Sequence, residues 1–314
     1  MRRRKNGRYL HKKRPSHPSF PLILQLAFII FLASCAPAAS DGLPTRMITA
    51  VIVETAVIPA TSTPAPSATP TPAPSATPSP TPCPVGQLIS GTYPSTIAGE
   101  SRYRIFLPPC YDDNRLYPTL YMLPGNIHDD SIWDKMGLDE AAAQGITGGV
   151  LPPMIIVMAD GGYIANNTSG GYGSYETVIM DDLIPFIKAN YAADPANRAI
   201  GGLSRGGYWA MEIAFRHPAA FVSVGGHSAA LVDCCATADI NPQYTGLNND
   251  LGDLRIYLDV GRDDYLRSDT IILHDAMAAM GREHTWVLNE GGHDEAYWTA
   301  HVGDYLAWYA IPWQ

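Results

Sequence analysis

The chain is 314 residues long, 46% hydrophobic, and carries 30 acidic against 21 basic residues for a formal net charge of −9. That length leaves room for one sizeable core. An acidic balance with no basic stripe argues against nucleic acid as a partner and against electrostatic docking on anionic lipid.

Residues 1–35 read as a targeting segment. Eight basic residues, from Arg2 to Arg14, precede an apolar run from Phe20 to Ala33. That run is too short for a comfortable membrane span. It ends in Leu32-Ala33-Ser34-Cys35, which resembles a bacterial lipobox, so Cys35 is the expected lipidation site and the new N-terminus. The rest of the chain is then exported and tethered to the outer face of a bacterial membrane. Without the leader it holds 13 basic residues against 30 acidic ones, formally −17, so the lipid is its whole membrane attachment.

Residues 36–84 are expected to be a linker. From Thr61 to Pro84 the chain is almost entirely Pro, Thr, Ser and Ala, a composition that cannot bury a core and stays extended and solvated. Four further cysteines, Cys83, Cys110, Cys234 and Cys235, form an even count in an oxidising compartment, which suggests disulfides. A Cys83–Cys110 staple across a hairpin is one pairing; Cys234 and Cys235 read as a vicinal bridge or as buried thiols.

Residues 85–314 fit one α/β domain. Strand-like runs fall at 103–107, 119–123, 154–158, 199–200, 221–224, 256–260 and 285–288, several of them continuously apolar, as strands buried on both faces should be. Between them, Tyr175, Ile179, Leu183 and Ile187 make a helical stripe with a kink expected at Pro185. Ser268 is a candidate cap for a helix running to Gly281, and residues 294–310 read as the last helix. This alternation predicts a mostly parallel sheet with helices on both faces.

The motif that carries chemistry is Gly202-Leu203-Ser204-Arg205-Gly206. A short apolar strand enters it and an amphipathic helix leaves it, which places Ser204 at the apex of a sharp turn. Glycines on either side allow a tight backbone path, and the Arg205 N–H at the helix start is aimed at a developing oxyanion. A serine hydroxyl needs a base, and the base needs an acid to orient it. His293 fits the base, since it follows a strand in the turn Glu290-Gly291-Gly292-His293 and precedes the final helix. His274 and His301 fall inside helical patterns and read as surface or core. Gly261-Arg262-Asp263-Asp264 ends another strand, and either carboxylate there could take the acid's role. Asp259, within the strand, reads as structural. Ser228 has no glycine two residues on and reads as a packed loop residue. After the early strand, Leu123-Pro124-Gly125-Asn126 offers the Asn126 N–H as a second oxyanion donor.

The Gly202–Gly207 motif, the Leu-Pro-Gly loop leading to Trp133, Gly261-x-x-Asp264 and Gly292-His293-Asp294 to Trp298 together resemble the esterase D family of α/β-hydrolases. That group includes feruloyl, acetyl xylan and enterochelin esterases, S-formylglutathione hydrolases and mycolyltransferases. The resemblance spans most of residues 95–312. It implies an α/β-hydrolase sheet with a short reversal of strand order, no cofactor, Asp264 rather than Asp263 as the triad acid, and cleavage of a carboxylic ester. One departure is that the oxyanion loop reads Leu-Pro-Gly where many members have His-Gly.

The substrate expected from an external location is a small-molecule or polysaccharide ester, with Tyr163, Tyr172, Trp133, Tyr244 and Trp298 as candidate stacking aromatics. The Gly170–Gly173 segment reads as a flexible rim. An acyltransferase would use the same triad with an alcohol in place of water. An inert surface-binding protein on this fold is disfavoured by the intact Ser, His and Asp. No H-E-x-x-H or Walker motif points to a metal or nucleotide.

Overall fold

The computed structural model describes residues 85–232 and 235–314. Cys35, Cys83, Cys234, the leader and the whole linker lie outside them. The chain divides into two units, Met1–Pro74 and Ser75–Gln314, and the second holds every described element.

Eight strands form one sheet: β1 (Gln87–Ser95), β2 (Gly99–Leu107), β3 (Tyr117–Leu123), β4 (Ile155–Ala159), β5 (Ala193–Leu203), β6 (Ser223–His227), β7 (Arg255–Gly261) and β8 (Thr285–Asn289). Their order across the sheet is β1-β2-β4-β3-β5-β6-β7-β8, with β3 and β4 exchanged relative to chain order. The β1–β2 hairpin is antiparallel and β2 joins β4 antiparallel. From β4 through β8 every pairing is parallel. This is an α/β-hydrolase sheet with an antiparallel edge, and all five residues of β4 and of β6 are buried, as parallel strands covered on both faces require.

Helices cover both faces. They are α1 (Ile132–Lys135), α2 (Leu138–Thr147), α3 (Gly162–Asn167), α4 (Tyr175–Thr177), α5 (Ile184–Asn190), α6 (Arg205–Arg216), α7 (Pro242–Asn248), α8 (Arg267–Ala279) and α9 (Glu295–Ala310). Side chains alternate along β3: Tyr121 and Leu123 pack with Ile179, Ile187 and Phe215 on one face, while Leu120 and Met122 pack with Trp133, Leu138 and Leu306 on the other.

Two local expectations change. The Pro185 kink takes the form of a π-helical turn, Val178–Leu183, that bridges α4 to α5. Proline has no N–H for the carbonyl one turn back, and the wider turn absorbs the mismatch. Ser268 does not cap α8, which begins at Arg267 after Leu266 with no side-chain cap. The carboxylate of Asp264 accepts the Leu266 N–H at 2.7 Å instead, so the residue preceding the helix by three positions organises its entry. The far end matches its glycine: Gly281 has φ +68°, the Gly281 N–H reaches Ala278 O and the Arg282 N–H reaches Met277 O, a Schellman ending.

Candidate active site

Strand β5 runs into Ser204, whose φ of 55° and ψ of −118° form the sharp turn before α6. Such a backbone is costly for a residue with a Cβ and persists only where its surroundings enforce it. They do. Ser204 N–H donates to His227 O at 2.9 Å, and Ser204 O accepts from the Ala230 N–H at 2.9 Å and the Tyr208 N–H at 3.1 Å. Gly206 explains the motif's last glycine, because a Cβ there would sit 2.4 Å from the Leu123 carbonyl oxygen.

Ser204, Asp264 and His293 come from the loops after β5, β7 and β8, at the same end of neighbouring parallel strands. His293 Nε2 lies 2.9 Å from Ser204 Oγ, and His293 Nδ1 lies 2.9 Å from Asp264 Oδ2. A carboxylate only accepts, so Nδ1 carries the ring proton and Nε2 is the free acceptor facing the serine hydroxyl. The loops bearing acid and histidine are tied by backbone bonds from Arg262 N–H to Asn289 O (2.8 Å) and Asp263 N–H to Gly291 O (2.9 Å). Asp263, the other candidate acid, is exposed. Asp264 is 5% exposed; burial pushes its carboxyl up, but bonds from His293 and the Leu266 N–H outweigh burial and hold it below the ordinary range.

The loop after β3 lies beside the elbow, and a Cβ on Gly125 would come within 3.5 Å of Ser204 Cβ. Gly125 O accepts the His128 N–H at 3.1 Å, which turns the Asn126 N–H of the same planar peptide the opposite way. Asn126 O is held in turn by Asn166 Nδ2 at 2.8 Å. Arg205 begins α6, so its N–H is one of the helix's orphan donors. Its guanidinium is directed away from the site, bonding Ala165 O and Thr168 O and lying over the Tyr208 and Trp209 rings.

A cleft of about 550 Å³ opens over Ser204 and His293, lined also by Ile127, His128, Tyr265 and Trp298. Of the five aromatics expected at a rim, only Trp298 lines it. Trp133 belongs to the core: it is 1% exposed and its indole N–H donates to Leu123 O at 3.0 Å. Tyr163, Tyr172 and Tyr244 are exposed and do not line this cleft. The Gly170–Gly173 rim is strapped down: Gly171 N–H donates to Glu176 at 2.6 Å, Gly173 N–H to Thr177 Oγ1 at 3.0 Å, and the Tyr208 hydroxyl to Ser169 O at 2.6 Å.

Sequence reasoning missed Tyr265 and His128. The Tyr265 ring sits 4.6 Å from the His293 ring while its side chain stays exposed. The His128 imidazole, lowered in pKa chiefly by burial, meets Trp298 edge to face at 6.4 Å. Adjacency was the available signal, since Tyr265 follows Asp264 directly and His128 lies two residues past Asn126. Ser228, read as a packed loop residue, is fully buried with φ 49° and donates its N–H to Asp259 O at 2.9 Å.

A family profile described as "Putative esterase" matches residues 95–309. An esterase of Mycobacterium tuberculosis is 33% identical over 142 residues, covering 43% of this chain and 30% of that protein. An endo-1,4-beta-xylanase/feruloyl esterase of Xylanibacter ruminicola is 35% identical over 114 residues, 33% of this chain and 15% of that protein. The chain thus spans about a third or less of these curated relatives. Among solved structures, a ferulic acid esterase aligns with a TM-score of 0.64 at 26% identity, covering 72% of this chain and 98% of that one.

Proposed function

The chain belongs to this esterase family; from that premise we propose that it is a carboxylic ester hydrolase with Ser204, His293 and Asp264 as its catalytic triad, working outside the cell on acylated polysaccharide or on feruloyl and acetyl esters. The observation that carries the triad is the unbroken relay from Asp264 through His293 to Ser204, with both links at 2.9 Å.

In this mechanism Ser204 Oγ attacks the acyl carbon as His293 Nε2 takes its proton, and Asp264 holds the imidazole in the tautomer that can do so. The N–H groups of Arg205 and Asn126 receive the charge on the carbonyl oxygen. Collapse breaks the ester bond, and the departing alcohol takes the proton back from His293. Water then attacks the acyl-serine, again giving its proton to His293, and the acid leaves as Ser204 is restored. Preorganised donors offer most of the advantage, because they need no reorientation as charge develops.

An aryl or short acyl group is supported by the cleft, whose Ile127, Trp298 and Tyr265 provide apolar and aromatic walls, and by the likeness to a ferulic acid esterase. The leader and the Pro-rich spacer support the external location. Replacing Ser204 with Ala should abolish p-nitrophenyl acetate cleavage and fluorophosphonate labelling; unchanged turnover would overturn the assignment. A screen of acetyl, feruloyl and longer acyl esters, with product analysis in the presence of sugar or glycerol, tests the substrate and separates hydrolysis from acyl transfer.

A further inference from the structure

Beneath the cleft lies a fully buried carboxylate that the mechanism above does not use. Asp259 is 0% exposed near the end of β7, five residues before Asp264. A buried charge is costly unless it is fully hydrogen-bonded. Asp259 is: its Oδ1 meets His227 Nδ1 at 2.7 Å, and its Oδ2 accepts the Tyr297 hydroxyl at 2.7 Å and the Tyr305 hydroxyl at 2.9 Å. His227 lies flat against Tyr305, ring centres 3.8 Å apart, and its Nε2 meets the Tyr309 hydroxyl at 3.1 Å. Burial first, and then the Asp259 charge, push the Tyr297 and Tyr305 hydroxyls far above the usual phenol range, so both remain donors.

All three tyrosines belong to α9, the helix that His293 leads into. Asp259 and His227 belong to β7 and β6. The network therefore nails one helix to the ends of two strands, and backbone space has been cleared for it: a Cβ on Gly201 or Gly225 would sit 1.9 or 2.0 Å from the Tyr309 hydroxyl oxygen. The nail nearest the histidine is Tyr297. It lies four residues past His293, its N–H is capped by Asp294 at 2.9 Å, and Asn289 at the end of β8 also reaches its hydroxyl at 3.4 Å. The turn that delivers His293 rests on its ring, since a Cβ on Gly291, itself at φ +121°, would sit 2.9 Å from Tyr297 Cδ2. The backbone of His227 and Ser228 completes the frame, holding the Ser204 N–H through His227 O and giving the Ser228 N–H to Asp259 O.

We infer that Tyr297 and Asp259 are positioning residues, which set the height and orientation of His293 against Ser204 by fixing the first turn of α9 to the strand that carries the acid. The inference rests on the triad proposed above. Tyr305 bonds the same carboxylate oxygen as Tyr297 but stands two further turns along the helix, so it supplies the comparison. Both Tyr→Phe changes remove one hydroxyl from the same buried acceptor and should lower melting temperature by similar amounts. Only one of them frees the turn next to His293.

The test measures kcat and KM for p-nitrophenyl acetate in the whole protein, normalised to the end-point titre of fluorophosphonate label so that unfolded material is not counted. Tyr297→Phe should lower kcat about tenfold at unchanged KM, as a slightly misplaced base would, while Tyr305→Phe stays within about threefold. Asp259→Asn, which keeps the shape and removes the charge, should follow Tyr297→Phe. Wild-type kcat per labelled site in Tyr297→Phe overturns the inference, as does an equal loss in the two tyrosine variants. A wild-type protein that takes no label instead overturns the triad, so the two failures are distinguishable.

Discussion

At the scale of single residues, Asp264 is the group whose state couples the site to pH. Its carboxyl is held low in the folded protein by His293 and the Leu266 N–H against the opposing effect of burial. A depressed carboxylate contributes stability above its unfolded value and loses that contribution as pH falls through its lower folded value. Melting temperature should therefore fall on acidification from the ordinary carboxylate range downward, and Asp264→Asn should flatten part of that fall. The same variant should lose about 10³–10⁴ in kcat, because an amide can hold the wrong imidazole tautomer. Activity within tenfold of wild type would pass the acid's role to Asp263. Tyr265→Ala should raise KM for aryl esters about fivefold while leaving acetyl esters within twofold, since an exposed ring over His293 offers stacking area to an aryl group alone. Equal effects on both esters would remove Tyr265 from the acyl wall.

The proposed triad could be picked out residue by residue because each candidate sits in a loop after a strand, in the chain order of its fold. Trp133 was not, since an aromatic just past a loop has the same local signature whether it faces solvent or, as here, the core. Asp259 read as structural from its place within a strand, and its three side-chain partners lie 32 to 46 residues away, so no local pattern announces them.

At the scale of elements, α6 does more than follow Ser204. Arg205, Tyr208, Trp209, Glu212 and Arg216 form one stripe, and four of them hydrogen-bond the 165–176 segment. Glu212 is fully buried against Gly170, and its carboxyl is pushed up to about 9, first by burial and then by the neighbouring Glu176. Arg216 touches both carboxylates, but one guanidinium balances one charge. Glu176, which also contacts His217, keeps the charge, with its pKa lowered by His217 and Arg216 despite burial. Because the folded state retains a proton that an unfolded glutamate releases, this residue costs stability increasingly between about pH 4.5 and 9. Glu212→Gln should thus leave melting temperature near wild type at pH 5 and raise it relative to wild type at pH 8. A uniform loss at both values would mean that the carboxyl is ionised and needed by Arg216. Periodicity located the helix but not this pair, because a buried glutamate shows its partner in the 165–176 segment only after that loop folds back.

At the scale of the whole molecule, the sheet explains why three residues spread over 90 positions meet. Parallel strands β5, β7 and β8 all end on one side, and the loops after them share it. Cys83 lies outside the described residues, and the expected Cys83–Cys110 staple would close the chain onto the β1–β2 hairpin. Cys110→Ser should then lower stability by about 3.5 kcal/mol, the worth of closing a loop of this size, and dithiothreitol should lower the wild-type melting temperature without affecting the variant. A chain beginning at Cys83 should keep kcat and melting temperature, because a Pro-rich spacer contributes no core. In the full chain, Cys35→Ser should abolish palmitate incorporation and release the protein from membranes.

Strand-and-helix alternation, the elbow and the order serine, acid, histidine were written into the linear chain, because periodicity and turn chemistry are local properties that need no partner. The extra length of β5, the exchange of β3 with β4, the burial of Trp133, the strapped Gly170–Gly173 rim and the Asp259 network were decided only in three dimensions. Each depends on which distant backbone or side chain arrives to share a surface. A buried polar group in particular is satisfied by whatever reaches it, and that is a property of the assembled layers rather than of its neighbours in sequence.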